Sequence, residues 1–74
     1  MQAYDDARRR ISDNVRKGRK KIGLSQEALA LQAGINRSYV GQIERAIGNP
    51  SLQVLVKLAI TLDVDVADLV KKSK

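Results

Sequence analysis

The chain has 74 residues, with 14 Lys and Arg against 8 Asp and Glu, a net charge of +6, and neither cysteine nor histidine. Without these two residue types the chain lacks disulfides, Cys–His or Ser–His catalysis and the commonest soft metal ligands, so we expect no enzyme, no metal and no cofactor. The excess of positive charge favours a polyanionic partner, above all nucleic acid.

The length predicts a single domain that spans residues 1–74. No stretch approaches the roughly 20 apolar residues that cross a bilayer, and the N-terminus lacks the apolar segment of a signal peptide. We therefore expect a cytoplasmic protein with no membrane partner, associated with the nucleoid if its partner is DNA.

The first predicted helix runs from about Asp6 to Lys21. Apolar residues recur along it at helical spacing, with Gly18 on the same stripe; they are Ala7, Ile11, Val15 and Ile22. Gly18 has no side chain and is expected to leave room for a second helix to approach closely. The run of Arg8, Arg9 and Arg10 is typical of a solvated helix face.

Two short helices follow, separated by a turn that contains a glycine. Ser25 is the predicted N-cap of the second helix, Gly34 its left-handed stop, and Asn36 the N-cap of the third. The predicted inward positions of the two helices are Leu29, Ala30, Ala33, Val40 and Ile43. Two helices joined in this way predict a helix-turn-helix over about residues 26–45.

Pro50 precedes a fourth predicted helix, from about Leu52 to Leu62, with Ser51 as its cap. Its predicted inner stripe is Leu52, Leu55, Ala59 and Leu62, while Val54, Val56, Leu58 and Ile60 add apolar surface on other faces. Asp65 is the predicted cap of a short fifth helix that contains Leu69. Because no alternating strand pattern persists, the predicted fold is all-α, a compact five-helix orthogonal bundle containing a helix-turn-helix.

The third helix leaves small and polar residues on its outer side, namely Arg37, Ser38, Gly41, Gln42 and Arg45. An α-helix fits the major groove of DNA, where arginine pairs with guanine and glutamine with adenine through two hydrogen bonds. The third helix is therefore the predicted reading element of a protein that binds double-stranded DNA.

Within about residues 15–69 the chain resembles the helix-turn-helix family of the lambdoid phage repressors and Cro. Inside that family it is similar to compact single-domain regulators such as restriction–modification controller proteins. The block Leu24-Ser25-Gln26-Glu27-Ala28-Leu29-Ala30 resembles the signature Ser-Gln-x-x-Leu-Ala. The other matches in order and spacing are Gly34, Arg37-Ser38-Tyr39-Val40, Ile43-Glu44-Arg45 and Asn49-Pro50-Ser51-Leu52. The resemblance implies a lambda repressor-like fold and a transcriptional regulator of the Cro/C1 type.

The resemblance also implies roles for individual residues. The positions that match base readers are Arg37, Ser38 and Gln42, and those that match contacts to the DNA backbone are Gln26, Tyr39 and Asn49. Gln26 also matches a position that sometimes contacts a base edge. Arg19 and Glu44 match an ion pair that ties the first helix to the third.

The chain departs from the family in the turn after the third helix. Ala46 stands where the family usually has a glycine with positive φ, and Gly48 is expected to take over that conformation. A basic residue is common in the family where Ile47 or Gly48 stands, and an exposed Ile47 instead suggests contact with another protein.

A homodimer is expected because one helix-turn-helix covers too few base pairs to discriminate sites in a genome. The predicted interface consists of Ile60, Val66, Leu69 and Val70, with Ile47 at its edge. Such a dimer would bind a pseudo-palindromic operator and would block or contact RNA polymerase, which is a further candidate partner.

A protein-interaction module, an antitoxin or adaptor that reuses the fold, is the alternative function. The polar outer side of the third helix argues against it, since a protein-binding face would be more apolar. RNA binding is disfavoured because two tyrosines, with no Phe or Trp, make no stacking platform.

Overall fold

Five α-helices joined by short turns make up residues 2–73, the part of the chain that the computed structural model describes. The helices are α1 (Gln2–Lys21), α2 (Gln26–Ala33), α3 (Arg37–Glu44), α4 (Leu52–Leu62) and α5 (Val66–Val70). Residues 2–73 contain no strand, and the predicted all-α bundle is confirmed. Over the same residues, no helix is both long and apolar enough to cross a membrane.

Polar residues set the starting points of α2, α3 and α4. The Oγ of Ser25 accepts a hydrogen bond from the backbone N–H three residues later at 3.0 Å. Asn36 Oδ1 accepts one from the N–H two residues later at 2.7 Å, and Ser51 Oγ accepts one from the N–H three residues later at 3.2 Å. Each cap satisfies a donor that the first helical turn leaves without an intrahelical partner. The three predicted caps are confirmed.

Two turns of the helix-turn-helix need a left-handed residue. Gly34 has the predicted positive φ, at 71°. Ala46 has φ 59° and Gly48 has φ 77°, so the expectation that Gly48 replaces Ala46 in this conformation is wrong. The reason is the closure of α3, in which the N–H of Ile47 bonds to the carbonyl of Gln42 at 2.9 Å. That closure requires the residue before Ile47 to be left-handed, whichever side chain it carries.

The core is formed by the inner faces of all five helices. Its residues are Ile11, Val15, Leu29, Ala30, Ala33, Val40, Ile43, Leu55, Leu58, Ala59, Leu62 and Leu69. Every inward position predicted for α2 and α3 is buried, which confirms the pattern of that segment. The inner sides of α2 and α3 therefore pack against the rest of the bundle, and the outer side of α3 is left exposed.

Three residues predicted to face inward lie at the surface instead. Ala7 is exposed, Ile22 is 44% exposed because α1 ends at Lys21, and Leu52 is 70% exposed as the first residue of α4. Leu58, which was assigned to another face, is fully buried. The buried stripe of α4 thus comprises Leu55, Leu58, Ala59 and Leu62, while Leu52, Val56 and Ile60 form a separate exposed stripe four residues apart.

Gly18 lies where α1 packs against Leu62 of α4. A Cβ built on Gly18 would stand 3.3 Å from Cδ1 of Leu62, tighter than ordinary van der Waals contact. This is the close approach expected of Gly18. The contact aligns the C-terminal half of α1 with the core, and the same half carries Arg19 to the end of α3.

Candidate nucleic-acid interface

The outer side of α3 forms one wall of a shallow, open depression. The residues that line it are Gln26, Arg37, Ser38, Gly41, Gln42 and Arg45. Seven residues were predicted to contact DNA, the six matched by the resemblance and Arg45 on the outer side of the third helix, and five of them are thus brought together. Gly41, which the sequence pattern placed on the same side of the helix, also lines the depression; a Cβ there would stand 4.0 Å from both Gln26 Oε1 and Arg45 Nη1. Without a side chain at Gly41, the depression stays open between these two groups.

Arg37 is a cation of the depression that lies near a carboxylate. Its Nη1 lies 3.9 Å from Oε2 of Glu27, with the two side chains 69% and 76% exposed. A long, solvated ion pair of this kind is worth little and is screened by salt. The guanidinium of Arg37 is therefore able to exchange Glu27 for a base edge or a phosphate.

Glu44, at the end of α3, joins three helices beneath the depression. Arg19 of α1 donates to it twice, from Nε to Oε2 at 2.6 Å and from Nη2 to Oε1 at 2.9 Å. Gln26 Nε2 of α2 donates to Oε1 at 3.1 Å. The Glu44 side chain is only 2% exposed and that of Arg19 13%. This network fixes the end of α3 and the side chain of Gln26, which still has one amide hydrogen and its Oε1 available to DNA.

The surroundings of Arg19 and Glu44 shift the pKa of both side chains. Burial by itself would raise the pKa of Glu44, but hydrogen bonds from Arg19 and Gln26, with the positive charges of Arg19 and Arg16, bring the pKa below its ordinary value. The hydrogen bond to Glu44 raises the pKa of Arg19. Both groups are therefore charged at neutral pH, and the ion pair that they form connects α1 to the end of α3.

Two further residues of α1 hold the same helix end through its backbone. Ser12, which is buried, donates from Oγ to the carbonyl of Glu44 at 2.6 Å, and Arg16 Nη1 donates to that carbonyl at 2.9 Å. The sequence reasoning did not identify either residue. For Ser12 the sequence did contain a signal, because a polar residue between the apolar residues Ile11 and Val15 indicates a buried hydrogen bond.

Tyr39 and Asn49 lie outside the depression. Tyr39 is half-buried and packs against the core, and Asn49 is exposed in the loop before α4. Asn49 Oδ1 accepts a hydrogen bond from Arg8 Nη1 at 3.0 Å. Arg8 was expected to be a solvated member of an arginine run, and this contact shows instead that it is fastened to the loop.

The residues predicted for the dimer interface differ in their accessibility. Ile60 is 75% exposed, Val70 is 39% exposed and Val66 is half-buried. Leu69 is only 1% exposed because it closes the core between α1, α4 and α5, so its side chain is not available to a partner. Of the four residues, Ile60, Val66 and Val70 are left accessible to a partner chain. Ile47 is 51% exposed, in the turn that follows α3.

The positive charge of the chain is unevenly distributed. From Gln26 to Arg45 the charged residues are Glu27, Arg37, Glu44 and Arg45, which sum to zero. By contrast, α1 carries eight Lys and Arg against three Asp, and residues 71, 72 and 74 are lysines. The outer side of α3 therefore offers mainly hydrogen-bonding groups, while the excess of positive charge lies in α1 and in the lysines at the C-terminal end of the sequence.

Comparison with known proteins places these features in a family. A family model described as helix-turn-helix matches residues 15–69. Control protein C.SmaI from Serratia marcescens is 37% identical over 69 residues, which cover 93% of this chain and 82% of that protein. The HTH-type transcriptional regulator SlrR from Bacillus subtilis is 41% identical over 56 residues, 74% of this chain; the match covers 37% of SlrR.

Solved structures share the fold. The restriction-modification controller protein C.AhdI from Aeromonas hydrophila has a TM-score of 0.80 at 42% identity, covering 84% of this chain and 94% of that chain. SinR, the master regulator for biofilm formation, solved in complex with DNA, has a TM-score of 0.79 at 40% identity, covering 82% of this chain and 98% of that chain. SinR has also been solved in a complex with the SinI protein.

Proposed function

The chain belongs to the helix-turn-helix family of Cro/C1-type DNA-binding transcriptional regulators, and from that membership we propose that it binds a pseudo-palindromic operator as a homodimer with α3 in the major groove. The family membership confirms the predicted resemblance and explains why the chain is not an enzyme. C.AhdI is a restriction-modification controller protein by name and C.SmaI a control protein, and we propose a comparable role as a compact regulator here.

The proposal rests on the exposed outer side of α3, the opposite side of which is packed into the core through Val40 and Ile43. The major groove is about 12 Å wide and admits one helix. Arg37, Ser38 and Gln42 are exposed on this side, where they offer a bidentate donor, a hydroxyl and an amide to base edges. Because the Arg19–Glu44 pair anchors the end of α3, these groups approach DNA as a preorganised set.

We assign base reading and backbone contact to different residues. Arg37, Ser38 and Gln42 read bases, and Arg45, at the end of α3, supplies a further cation on the same side. Gln26, Tyr39 and Asn49 contact the sugar-phosphate backbone, which sets the register of α3 without carrying sequence information. The basic surface of α1 adds attraction that does not depend on sequence.

A dimer would provide a second copy of α3 to bind the second half-site of the operator. Ile60 of α4 and Val70 of α5 are exposed apolar side chains and Val66 is half-buried, while α3 packs mainly against α1 and α2. Pairing through them would leave both reading helices free and separate them by one helical turn of DNA, about 34 Å, or a multiple of it. We place the protein in the cytoplasm on the nucleoid, where a bound dimer would block or contact RNA polymerase.

A second candidate function, a protein-interaction module such as an antitoxin or adaptor, has one observation in its favour. The exposed stripe of Leu52, Val56 and Ile60 along α4 is typical of a surface that contacts protein. That function would not require the polar depression on α3. We therefore treat the exposed stripe as support for dimerisation of a DNA-binding regulator.

The proposal is tested by selecting duplexes from a randomised library with the full-length protein. We expect enrichment of a two-fold symmetric motif. We also expect affinity for it to fall by about 10³–10⁵ between 50 and 200 mM salt if the dimer contacts about 6–10 phosphates. A library that stays random after selection, or binding that is independent of salt, would contradict the proposed function.

A further inference from the structure

Arg8 is held in place by three neighbours on the N-terminal half of α1 and in the loop before α4. Its Nη2 lies 2.7 Å from Oδ1 of Asp5, and its Nη1 donates to Oδ1 of Asn49 at 3.0 Å. The ring centroid of Tyr4 lies 5.9 Å from its Cζ, within cation–π range. The Arg8 side chain is 27% exposed, whereas that of the adjacent Arg9 is 72% exposed.

The contact determines which end of the Asn49 amide faces outward. A guanidinium only donates hydrogen bonds, so the carbonyl of the amide must turn towards Arg8. The NH2 group is then the end of Asn49 left for a ligand. If the amide rotated by half a turn, two donors would face each other at Arg8 and an acceptor would face outward.

A phosphate oxygen only accepts hydrogen bonds, so it requires the NH2 end of the amide. We propose that Arg8 is a positioning residue that presents Asn49 as a donor to a DNA phosphate. This inference rests on the proposed function, to which it adds a residue outside the family match, since that match begins at residue 15. The charge of Arg8 is already balanced by Asp5, so Arg8 acts through Asn49 rather than as a free cation.

The Asp5–Arg8 pair offers a test that leaves net charge unchanged. Asp5→Ala with Arg8→Ala removes one carboxylate and one guanidinium, so a change in affinity cannot come from net charge. The neighbouring pair, Asp6 and Arg9, has the same i,i+3 spacing. Arg9 Nη1 lies 3.9 Å from Asp6 Oδ1, and both side chains are exposed. Asp6→Ala with Arg9→Ala is therefore a matched control that makes no contact with Asn49.

The experiment measures the Kd of each double variant for a duplex enriched from a random library by the wild-type protein. Each double variant is measured with Asn49 intact and with Asn49→Ala, and helicity by circular dichroism confirms that the variants are folded. We expect removal of the Asp5–Arg8 pair to weaken binding by about threefold to tenfold when Asn49 is present. In the Asn49→Ala background it should cause no further loss, and removal of the Asp6–Arg9 pair should change little in either background.

Each other outcome overturns the inference. An equal loss with and without Asn49 would mean that Arg8 contacts DNA directly, and no loss in either background would mean that Arg8 has no part in binding. Those two results would leave the proposed function standing. If instead the wild-type protein enriched no duplex at all, the proposed function and this inference would fail together.

Discussion

Arg19 and Glu44 form a bidentate ion pair between α1 and the last residue of α3, with oxygen–nitrogen distances of 2.6 and 2.9 Å. Almost all of the carboxylate surface and most of the guanidinium are removed from solvent. A pair of this kind contributes little if both partners are replaced by apolar groups, but breaking one side strands a charge. The relationship therefore predicts an asymmetry between single and double substitutions.

We expect Arg19→Met to lower the free energy of unfolding by about 3–5 kcal/mol, because Glu44 would remain buried without its cation. Adding Glu44→Leu should restore a large part of that loss. Urea denaturation at neutral pH measures both. Arg9→Met is the control, since its ion pair is exposed, and should cost under about 1 kcal/mol. Equal small effects of Arg19→Met and Arg9→Met would contradict the structural role of the pair.

The lowered pKa of Glu44 predicts an acid-sensitive stability. A carboxyl with a lower pKa in the folded than in the unfolded state stabilises the fold above the unfolded pKa, and this stabilisation is lost as the pH falls through the folded pKa. For Glu44 the unfolded value is 4.5, so the loss begins near that pH and grows below it. Glu44→Gln should be less stable than wild type at neutral pH, and the difference should narrow on acidification.

Urea unfolding of the wild type and Glu44→Gln from about pH 7 to about pH 3 measures this difference. Glu27→Gln removes the same charge from a side chain that is 76% exposed and should stay close to wild type at neutral pH. A constant gap between wild type and Glu44→Gln across the whole range would show that the Glu44 carboxylate is not responsible for the acid sensitivity.

Ala46 is left-handed with φ 59°, a conformation that costs an L-residue about 1–2 kcal/mol relative to glycine. Ala46→Gly should raise the free energy of unfolding, by about 0.5–1 kcal/mol once the extra freedom of glycine in the unfolded chain is subtracted. Ala7→Gly, at an exposed position inside α1, should lower it by about 1 kcal/mol. Thermal or urea unfolding compares the two. Destabilisation by both would mean that the turn after α3 does not strain Ala46.

Pairing through α4 and α5 is tested at Ile60, because Val66 packs against the core and its replacement could affect folding. Ile60 is 75% exposed, so Ile60→Glu should leave the monomer folded while placing two like charges in the proposed interface. We expect a shift towards monomer in sedimentation and weaker operator binding. Leu31→Glu is the control, since Leu31 is 82% exposed on α2 and lies outside the interface. A dimer unchanged by Ile60→Glu would refute this interface.

The helix-turn-helix was the part of the fold that sequence reasoning predicted best. Its caps, its Gly34 stop and its inward positions are local signals, each carried by a residue and its close neighbours in the chain. The residues around the depression followed from the same pattern, because the outer side of α3 is what remains once Val40 and Ile43 face inward.

The remaining features depend on contacts between distant parts of the chain. Leu52 was predicted to be buried and is exposed, and Leu58 the reverse, because apolar residues occupy several faces of α4 and only its packing against α2 and α5 selects the buried stripe. Leu69 was predicted at a dimer interface because its sequence neighbours do not show that α1 covers it. The bond between Arg8 and Asn49 spans 41 residues and has no local signal.

The claim that α3 reads DNA is tested most directly at Arg37. Affinities of the wild type, Arg37→Ala and Arg9→Ala are measured on the selected duplex and on a panel of its single-base variants. We expect Arg37→Ala to cost about 1–3 kcal/mol and to abolish the preference for one guanine in each half-site. Arg9→Ala should keep the wild-type preference at every position. A uniform loss across the panel with Arg37→Ala, parallel to that of Arg9→Ala, would contradict base reading by α3.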